Sequence, residues 1–299
     1  MWTNLIKIKN KLNLLSIEDA LNTATEHFVL HYIDSPRLTA ELLLAYSLNQ
    51  YREYLYSHFH DLIDETARNR FESLVNRRIQ REPVAYILGH KEFWSKDFNV
   101  TPSVLIPRPE TEFLVQSSCN ILISHRRPLR IVELGTGSGA VILSLLSEYP
   151  DHFYCASDIS SAALQVAVSN AVKLGVLGQI QFVQSDWFSA FSPKNARFDL
   201  IISNPPYIPT NDILSLSPEI FQYEPYSALD GGMNGLECII HIIRHAHMYL
   251  QDKGYLVIEI GWNQDKDVFN AVQSIGIYDH LCFISDYGGT PRVAHIQKK

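Results

Sequence analysis

Cysteine is scarce and scattered. The four residues, Cys119, Cys155, Cys238 and Cys282, form no Cys-x-x-Cys pair. That spacing argues against a zinc knuckle or a disulfide framework and leaves buried thiols in a reducing compartment as the expectation. No apolar run approaches the ~20 residues that a membrane-spanning helix needs. The opening stretch MWTNLIKIKNKLNLLS carries Lys7, Lys9 and Lys11 where a secretory signal would need its apolar centre. A cytoplasmic protein with no membrane partner is therefore expected. Basic excess is missing too: the formal net charge is −7, which offers a polyanion no bulk attraction, and no direct nucleic-acid substrate is expected. Repeats and low-complexity tracts are absent. His241, His245 and His247 lie close in sequence, but no cysteine or acidic residue stands at a suitable third-ligand spacing, so no metal is expected.

What is present is ample material for a core. The chain has 299 residues, of which 46% are hydrophobic, enough for one large domain or two ordinary ones. Residues 1–82 read as helical. Ser16 and Asp64 stand as helix N-caps, and Ser35-Pro36 as a cap with proline in the first turn. Residues 83–106 change character: VAYILGHKEFWSKDFNVTPSVLIP alternates and is rich in aromatic and β-branched residues, which predicts a β-hairpin linker. From 107 to 299, short apolar runs (LRIVEL, FYCAS, QIQFVQ, FDLIIS, GYLVIEI) alternate with helical stretches near 160–173, 235–250 and 263–274. Two late strands follow near 281–285 and 292–297. This alternation predicts an α/β domain with a mainly parallel sheet and helices on both faces.

Two places in that domain carry chemistry. IVELGTGSGA (131–140) reads as strand, tight turn and helix start. Gly135, Gly137 and Gly139 allow positive φ and close approach of a ligand, and the helix start offers free N–H groups. Gly135, Gly137 and Ala140 also fit the dinucleotide pattern Gly-x-Gly-x-x-Ala, with Asp158 about 20 residues on as an acceptor for ribose hydroxyls. The turn alone does not separate a nicotinamide cofactor from another adenosyl ligand. Trp187, in SDWF after the third strand, offers an aromatic face to an adenine.

The second place is SNPPYIP (203–209), at the end of an otherwise buried strand. Consecutive prolines make a stiff exit that neither extends a central ladder nor starts a helix cheaply. The side-chain oxygen of Asn204 and the rigidly held carbonyl of Pro205 can accept both hydrogens of a planar –NH₂ group, and the Tyr207 ring can pack on that group's plane. When such a nitrogen attacks a methyl sulfonium, positive charge grows on its N–H groups. Two fixed acceptors then favour the transition state over the ground state. An amide and an exocyclic base amine both fit.

With these residues in view, the sequence resembles the release-factor glutamine methyltransferases (the PrmC/HemK family) over nearly its whole length. The matching stretches are REPVAYILGHKEFW (81–94), VLIPRPETE (104–112), VELGTGSGA (132–140), SDWF (185–188), NPPYI (204–208), EPYSALDGG-x-x-GL (224–236) and GYLVIEIG (254–261). The resemblance implies S-adenosyl-L-methionine as cofactor. It implies as substrate the side-chain amide nitrogen (N5) of the glutamine in the Gly-Gly-Gln motif of class I peptide-chain release factors. It further implies a helical N-terminal domain that helps dock the factor, and a seven-stranded Rossmann-like class I methyltransferase sheet with strand order 3-2-1-4-5-7-6. By motif position, Gly135, Thr136, Gly137, Ser138 and Gly139 would hold the cofactor's methionine and ribose. Asp158 would take the ribose hydroxyls, Trp187 the adenine, and Asn204, Pro205, Pro206 and Tyr207 the glutamine amide, with Asn204 also beside the cofactor. Arg108 and Thr111 would lie over the cofactor. Glu133 stands where many members have Asp at the end of the first strand.

A monomer is expected. The alternatives that remain are a nucleic-acid amine methyltransferase (adenine N6 or guanine N2), a non-catalytic adenosyl-ligand binding protein and, behind these, a nicotinamide oxidoreductase. Arg68, Arg70, Arg77, Arg78 and Arg81 cluster on or after one predicted helix, either as a docking face for a partner or as an ordinary solvated face.

Overall fold

The computed structural model describes residues 15–195 and 197–299. The lysine-bearing N-terminal stretch, through residue 14, lies outside the described residues. The chain divides into two compact units, Met1–Leu88 and Gly89–Lys299.

The described part of the first unit is a small helical assembly. Its helices are Ile17–Leu30, Pro36–Leu48, Arg52–Ser57, Glu65–Ile79 and Val84–Leu88. Ser16 and Asp64 cap two of them by accepting from the backbone N–H of Asp19 (3.1 Å) and Ala67 (2.8 Å). Ser35 does not cap with its side chain; it sits at φ 48° ahead of Pro36. Apolar residues at helical spacing, among them Leu21, Ala24, Phe28, Leu43, Leu44, Phe71 and Val75, form the core of this unit.

One local expectation is corrected here. Val84–Leu88 is helical rather than the first arm of a hairpin. Pro83 starts the turn: its carbonyl accepts from Tyr86 and Ile87, at 3.0 Å each. The apparent alternation of VAYIL instead buries Tyr86 and Ile87 from a single turn. The hairpin proper is shorter, pairing His90–Phe93 with Lys96–Asn99. Its two turn residues, Trp94 and Ser95, both have positive φ (49° and 55°), as a two-residue turn matching the twist of its strands requires.

The second unit carries a seven-stranded sheet. Its strands are β1 (Arg130–Leu134), β2 (Phe153–Asp158), β3 (Ile180–Gln184), β4 (Phe198–Ser203), β5 (Leu250–Glu259), β6 (Tyr278–Ser285) and β7 (Pro291–Lys298). The order across the sheet is β3-β2-β1-β4-β5-β7-β6. β7 runs antiparallel to both its neighbours, and the other pairings are parallel. This is the order implied by the resemblance.

Strand alternation sends successive residues to opposite faces. Ile131, Ala156, Leu200, Ile202, Val257 and Val293 join one core with the helices α1 (Glu112–Ser124) and α2 (Ala140–Glu148). Val132, Leu134, Ile201, Leu256, Ile258 and Ala294 join the other with α4 (Glu237–Ala246) and α5 (Asp265–Ile275). The helix between β2 and β3, α3, spans Ser161–Lys173. Each fully buried Leu or Ile in these layers contributes about 1.5–3 kcal/mol relative to exposure. β1 and β4 are adjacent, and the strand order reverses there, which opens a crevice at their carboxyl ends.

Candidate active site

A cavity of about 270 Å³ occupies that crevice. Its walls come from the carboxyl ends of β1, β2, β3 and β4, from the segment after the hairpin, and from the loop before α4. Of the sequence-derived candidates, Arg108, Thr111, Glu133, Gly135, Thr136, Gly137, Ser138, Asp158, Trp187, Asn204 and Pro206 line it. Gly139, Pro205 and Tyr207 do not. Gly139 is the N-cap of α2, where an added Cβ would stand 2.9 Å from Leu143 Cδ1. Pro205 is buried beside Asn204, and Tyr207 turns its ring toward the second core.

The glycine turn is held from two sides. Thr136 N–H donates to the Ser157 carbonyl (2.9 Å) and Gly139 N–H to the Thr136 carbonyl (2.8 Å). Gly135 and Gly137 have φ 70° and 55°. A Cβ on Gly137 would meet nothing within 4 Å, and one on Gly135 only Trp187, at 3.9 Å. The turn is therefore a cradle that side chains would partly fill.

Asp158 braces the same turn. Its Oδ2 accepts from Gly137 N–H and its Oδ1 from Ser160 N–H, both at 2.9 Å. Burial raises its carboxyl pKa, opposed by these backbone donors. Ser160 caps α3 through the Ala163 N–H (3.1 Å), so the carboxylate need not serve as the cap. With the Ile159 N–H also acting on this carboxylate, three backbone donors meet its roughly four lone-pair sites, which leaves room for a hydroxyl donor.

Glu133 is 2% exposed. Burial pushes its carboxyl up to about 8, against the Thr136 hydroxyl, which donates to Oε2 at 2.5 Å.

Asn204 follows β4. Its Nδ2 donates to Thr111 Oγ1 at 3.2 Å. That bond uses the amide's donor side and leaves the oxygen as its acceptor. The exit beyond it is clamped by the loop before α4. Ile208 N–H donates to the Leu229 carbonyl (3.0 Å) and Gly231 N–H to the Ile208 carbonyl (2.9 Å). Gln264 Nε2 donates to the carbonyls of Tyr207 and Gly235, at 3.0 Å each. Tyr207 O–H donates to Glu259 Oε1 at 3.3 Å.

Two more residues contribute: Glu224, which the sequence places in EPYSALDGG without a chemical role, and Asn170, which it did not single out. Glu224 pairs with the Arg108 guanidinium and also accepts from Ile106 N–H. The buried Asn170 donates to the Ser138 and Asn99 carbonyls (2.8 and 3.0 Å) and accepts from Asn99 N–H (2.7 Å), tying the glycine turn to the hairpin. An amide inside an apolar helical pattern, together with a glycine-rich turn, was the available signal. The Arg68–Arg81 cluster is largely engaged within its own unit. Arg78 is buried and donates to the Glu82 carbonyl. Arg77 pairs with the Glu82 carboxylate, Arg81 donates to the His31 and Tyr32 carbonyls, and Arg70 lies 4.3 Å over the Tyr46 ring. Among the described residues no grouping of three His, Cys, Asp or Glu could hold a metal ion, and no helix is long and apolar enough to cross a membrane.

Known proteins match this chain in both units. The PrmC N-terminal domain family matches residues 19–89, and the methyltransferase small domain family matches residues 111–223. The Release factor glutamine methyltransferase of Aliivibrio fischeri is 36% identical over 279 residues, covering 93% of this chain and 96% of that protein. The protein of the same name from Vibrio cholerae is 39% identical over 287 residues, covering 95% and 98%. Among solved structures, the hMettl16 catalytic domain, crystallised with an RNA hairpin, superposes with a TM-score of 0.55 at 14% identity, over 85% of this chain and 92% of that one. That likeness shows the methyltransferase fold. Near-complete coverage at these identities, over both units, makes the chain a member of the release factor glutamine methyltransferase family.

Proposed function

We propose that this protein transfers a methyl group from S-adenosyl-L-methionine to the side-chain amide nitrogen (N5) of the glutamine in the Gly-Gly-Gln motif of class I peptide-chain release factors. The observation that carries the reading is the held amide of Asn204, whose donor side is bound to Thr111 while its oxygen is left to accept. Family membership supplies the substrate class.

The residues present fit an adenosyl cofactor. The open cradle at Gly135 and Gly137 would admit its methionine portion, Asp158 would accept from ribose hydroxyls, and Trp187 would offer its ring to the adenine. Thr136, Ser138 and Gly139 shape the turn, while Glu133, Arg108 and Thr111 close the surrounding wall. When bound, S-adenosylmethionine supplies an electrophilic methyl on a sulfonium. Asn204 Oδ1 accepts an N–H group of the glutamine amide and aligns its nitrogen, Pro206 borders the amide's plane, and Pro205 and Tyr207, which do not line the cavity, hold the exit from behind. As the nitrogen gains positive charge, the Asn204 acceptor binds it more tightly. No acid, metal or covalent nucleophile is required: the new N–C bond would replace the methyl–sulfur bond, leaving a neutral thioether, and the amide nitrogen would lose one proton to water. The helical N-terminal unit helps dock the factor. The protein acts as a monomer in the cytoplasm, with no membrane or nucleic-acid substrate.

Labelled methyl transfer tests the reading. A release factor should accept label, whereas its Gly-Gly-Gln variant with Gln→Ala and bare DNA or RNA should not. Asn204→Ala should lower kcat by about 10²–10³-fold while the affinity for S-adenosylmethionine stays within about twofold, well under the tenfold that 1.4 kcal/mol represents. Label in nucleic acid alone, or full turnover by Asn204→Ala, would contradict it.

A further inference from the structure

Trp187 has φ 46°, a left-handed conformation that bulky residues rarely adopt. Strain of this kind persists only where surrounding contacts over-determine it. Here they come from Ser185, the residue after β3, which is 5% exposed and lines the cavity. Its Oγ donates to the Trp187 carbonyl at 2.8 Å and accepts from the Ala190 N–H at 3.1 Å. Its own N–H donates to the Asp158 carbonyl at 3.0 Å. Ser189 closes the turn from the other end. Its N–H donates to the Asp186 carbonyl (2.9 Å), and its Oγ accepts from the Asp186 N–H (3.1 Å).

The strained residue separates two rings. Phe188, the next residue, is buried in the second core, its ring stacked on that of Tyr249 with centroids 4.5 Å apart. Trp187 instead stays on the cavity wall, where a Cβ on Gly135 would stand 3.9 Å from its Cζ3. A hydroxyl that both donates and accepts inside the turn satisfies groups that a methyl would leave unmet. Without it, less offsets the left-handed φ, and the turn can relax to conformers whose indole leaves the wall. A ligand that needs the indole then binds more weakly, in proportion to the fraction of molecules that keep it in place.

We infer that Ser185 is a positioning residue for the cofactor: its hydroxyl holds Trp187 in the left-handed conformation that keeps the indole on the cavity wall. Its role rests on the reading of Trp187 as the adenine's partner given above. Cofactor affinity thereby depends on a hydroxyl whose one proton is spent inside the protein. The link from Ser185 to Asp158 runs through the main chain and survives substitution of the side chain. Removing the hydroxyl therefore acts on Trp187 and leaves the ribose acceptor in place.

The test titrates the whole protein with S-adenosylmethionine by calorimetry, beside urea unfolding and turnover on a class I release factor. Ser185→Ala should weaken the affinity about tenfold, as a tenfold fall in the competent fraction requires. Its kcat at saturating cofactor should stay within about twofold of the parent, the split expected of a residue that acts on binding alone. Ser185→Thr, which keeps the hydroxyl, should bind as the parent does. Ser189 is exposed, so Ser189→Ala spares the fold while removing the acceptor of the Asp186 N–H; it should weaken binding about threefold. A double-mutant cycle separates positioning from general support: in a Trp187→Ala background, Ser185→Ala should cost no further affinity. Additive losses would overturn the inference. So would parental affinity in Ser185→Ala, or in Ser189→Ala should the former not fold, beside a weakened Trp187→Ala; the adenine reading would then stand. Parental affinity in Trp187→Ala overturns both.

Discussion

The Arg108 guanidinium meets the Glu224 carboxylate across the mouth of the cavity, joining the segment before α1 to the loop before α4. The Glu224 side chain is 1% exposed and that of Arg108 is 30% exposed. Burial raises the Glu224 pKa, and the Arg108 charge opposes the rise. Both segments contribute walls to the cavity, including Pro107, Pro225 and Ala228. Arg108→Ala leaves the buried acid without its cation. The partial exposure of Arg108 discounts the full cost of a broken buried pair. The expected result is cofactor binding weakened by about tenfold, or 1.4 kcal/mol, measured by calorimetry. Unchanged affinity would remove the pair from the account of the cavity wall.

Gly235 tests the clamp on the NPPY exit. It has φ 70°, and a Cβ there would stand 2.3 Å from the Tyr207 carbonyl oxygen. Gly89 has φ 81° but meets nothing within 4 Å. Gly89→Ala should therefore cost only the left-handed conformation, about 1–2 kcal/mol. Gly235→Ala adds a backbone clash, so it should cost more and lower kcat. Urea unfolding and turnover measured on both proteins check this. Equal costs would mean that the loop yields freely around Tyr207.

Asn170 makes three hydrogen bonds with buried or half-buried backbone groups. Asn170→Ala strands those groups at about 1–3 kcal/mol each, partly relieved by water reaching the hairpin. We expect a stability loss of about 3 kcal/mol together with weaker S-adenosylmethionine binding, since Ser138 loses its anchor. Stability lost without a change in binding would confine Asn170 to a scaffolding role.

Glu133 predicts a pH dependence of stability. Its carboxyl is raised from 4.5 to about 8 in the folded protein, so the folded state binds the proton more tightly than the unfolded one. That contribution is fully present below pH 4.5 and is lost as pH rises through about 8. Glu133→Gln, which is always neutral, should match the parent near the acid end of this window. It should melt several degrees higher near the alkaline end, in the absence of cofactor. Thermal melts across the window decide; a parent that gains stability as pH rises, relative to Glu133→Gln, would contradict the assignment.

Legibility in the sequence followed the range of the interactions. The glycine turn, Asp158, Trp187 and Asn204 were readable because each sits where a strand pattern stops, and strand ends at the sheet's switch point form the crevice. The strand runs themselves were readable from their apolar content. VAYIL misled because five residues do not separate period two from a single helical turn, and the deciding carbonyl belongs to Pro83. The arginine cluster stayed open between a docking face and a solvated one because composition counts charges without their partners, such as the Glu82 carbonyl on which Arg78 is buried. The bonds of Asn204 to Thr111 and of Tyr207 to Glu259 were hidden for the same reason. Their members lie on distant segments, and only the sheet order brings the end of β5 beside the exit of β4.

The most direct test of the central claim is the mass of a class I release factor produced together with this protein, compared with one produced beside Asn204→Ala. The account predicts one added methyl group, placed by peptide fragmentation on the Gly-Gly-Gln glutamine side chain, and none with the variant. An unmodified factor, or a methyl group on any other residue, would contradict it.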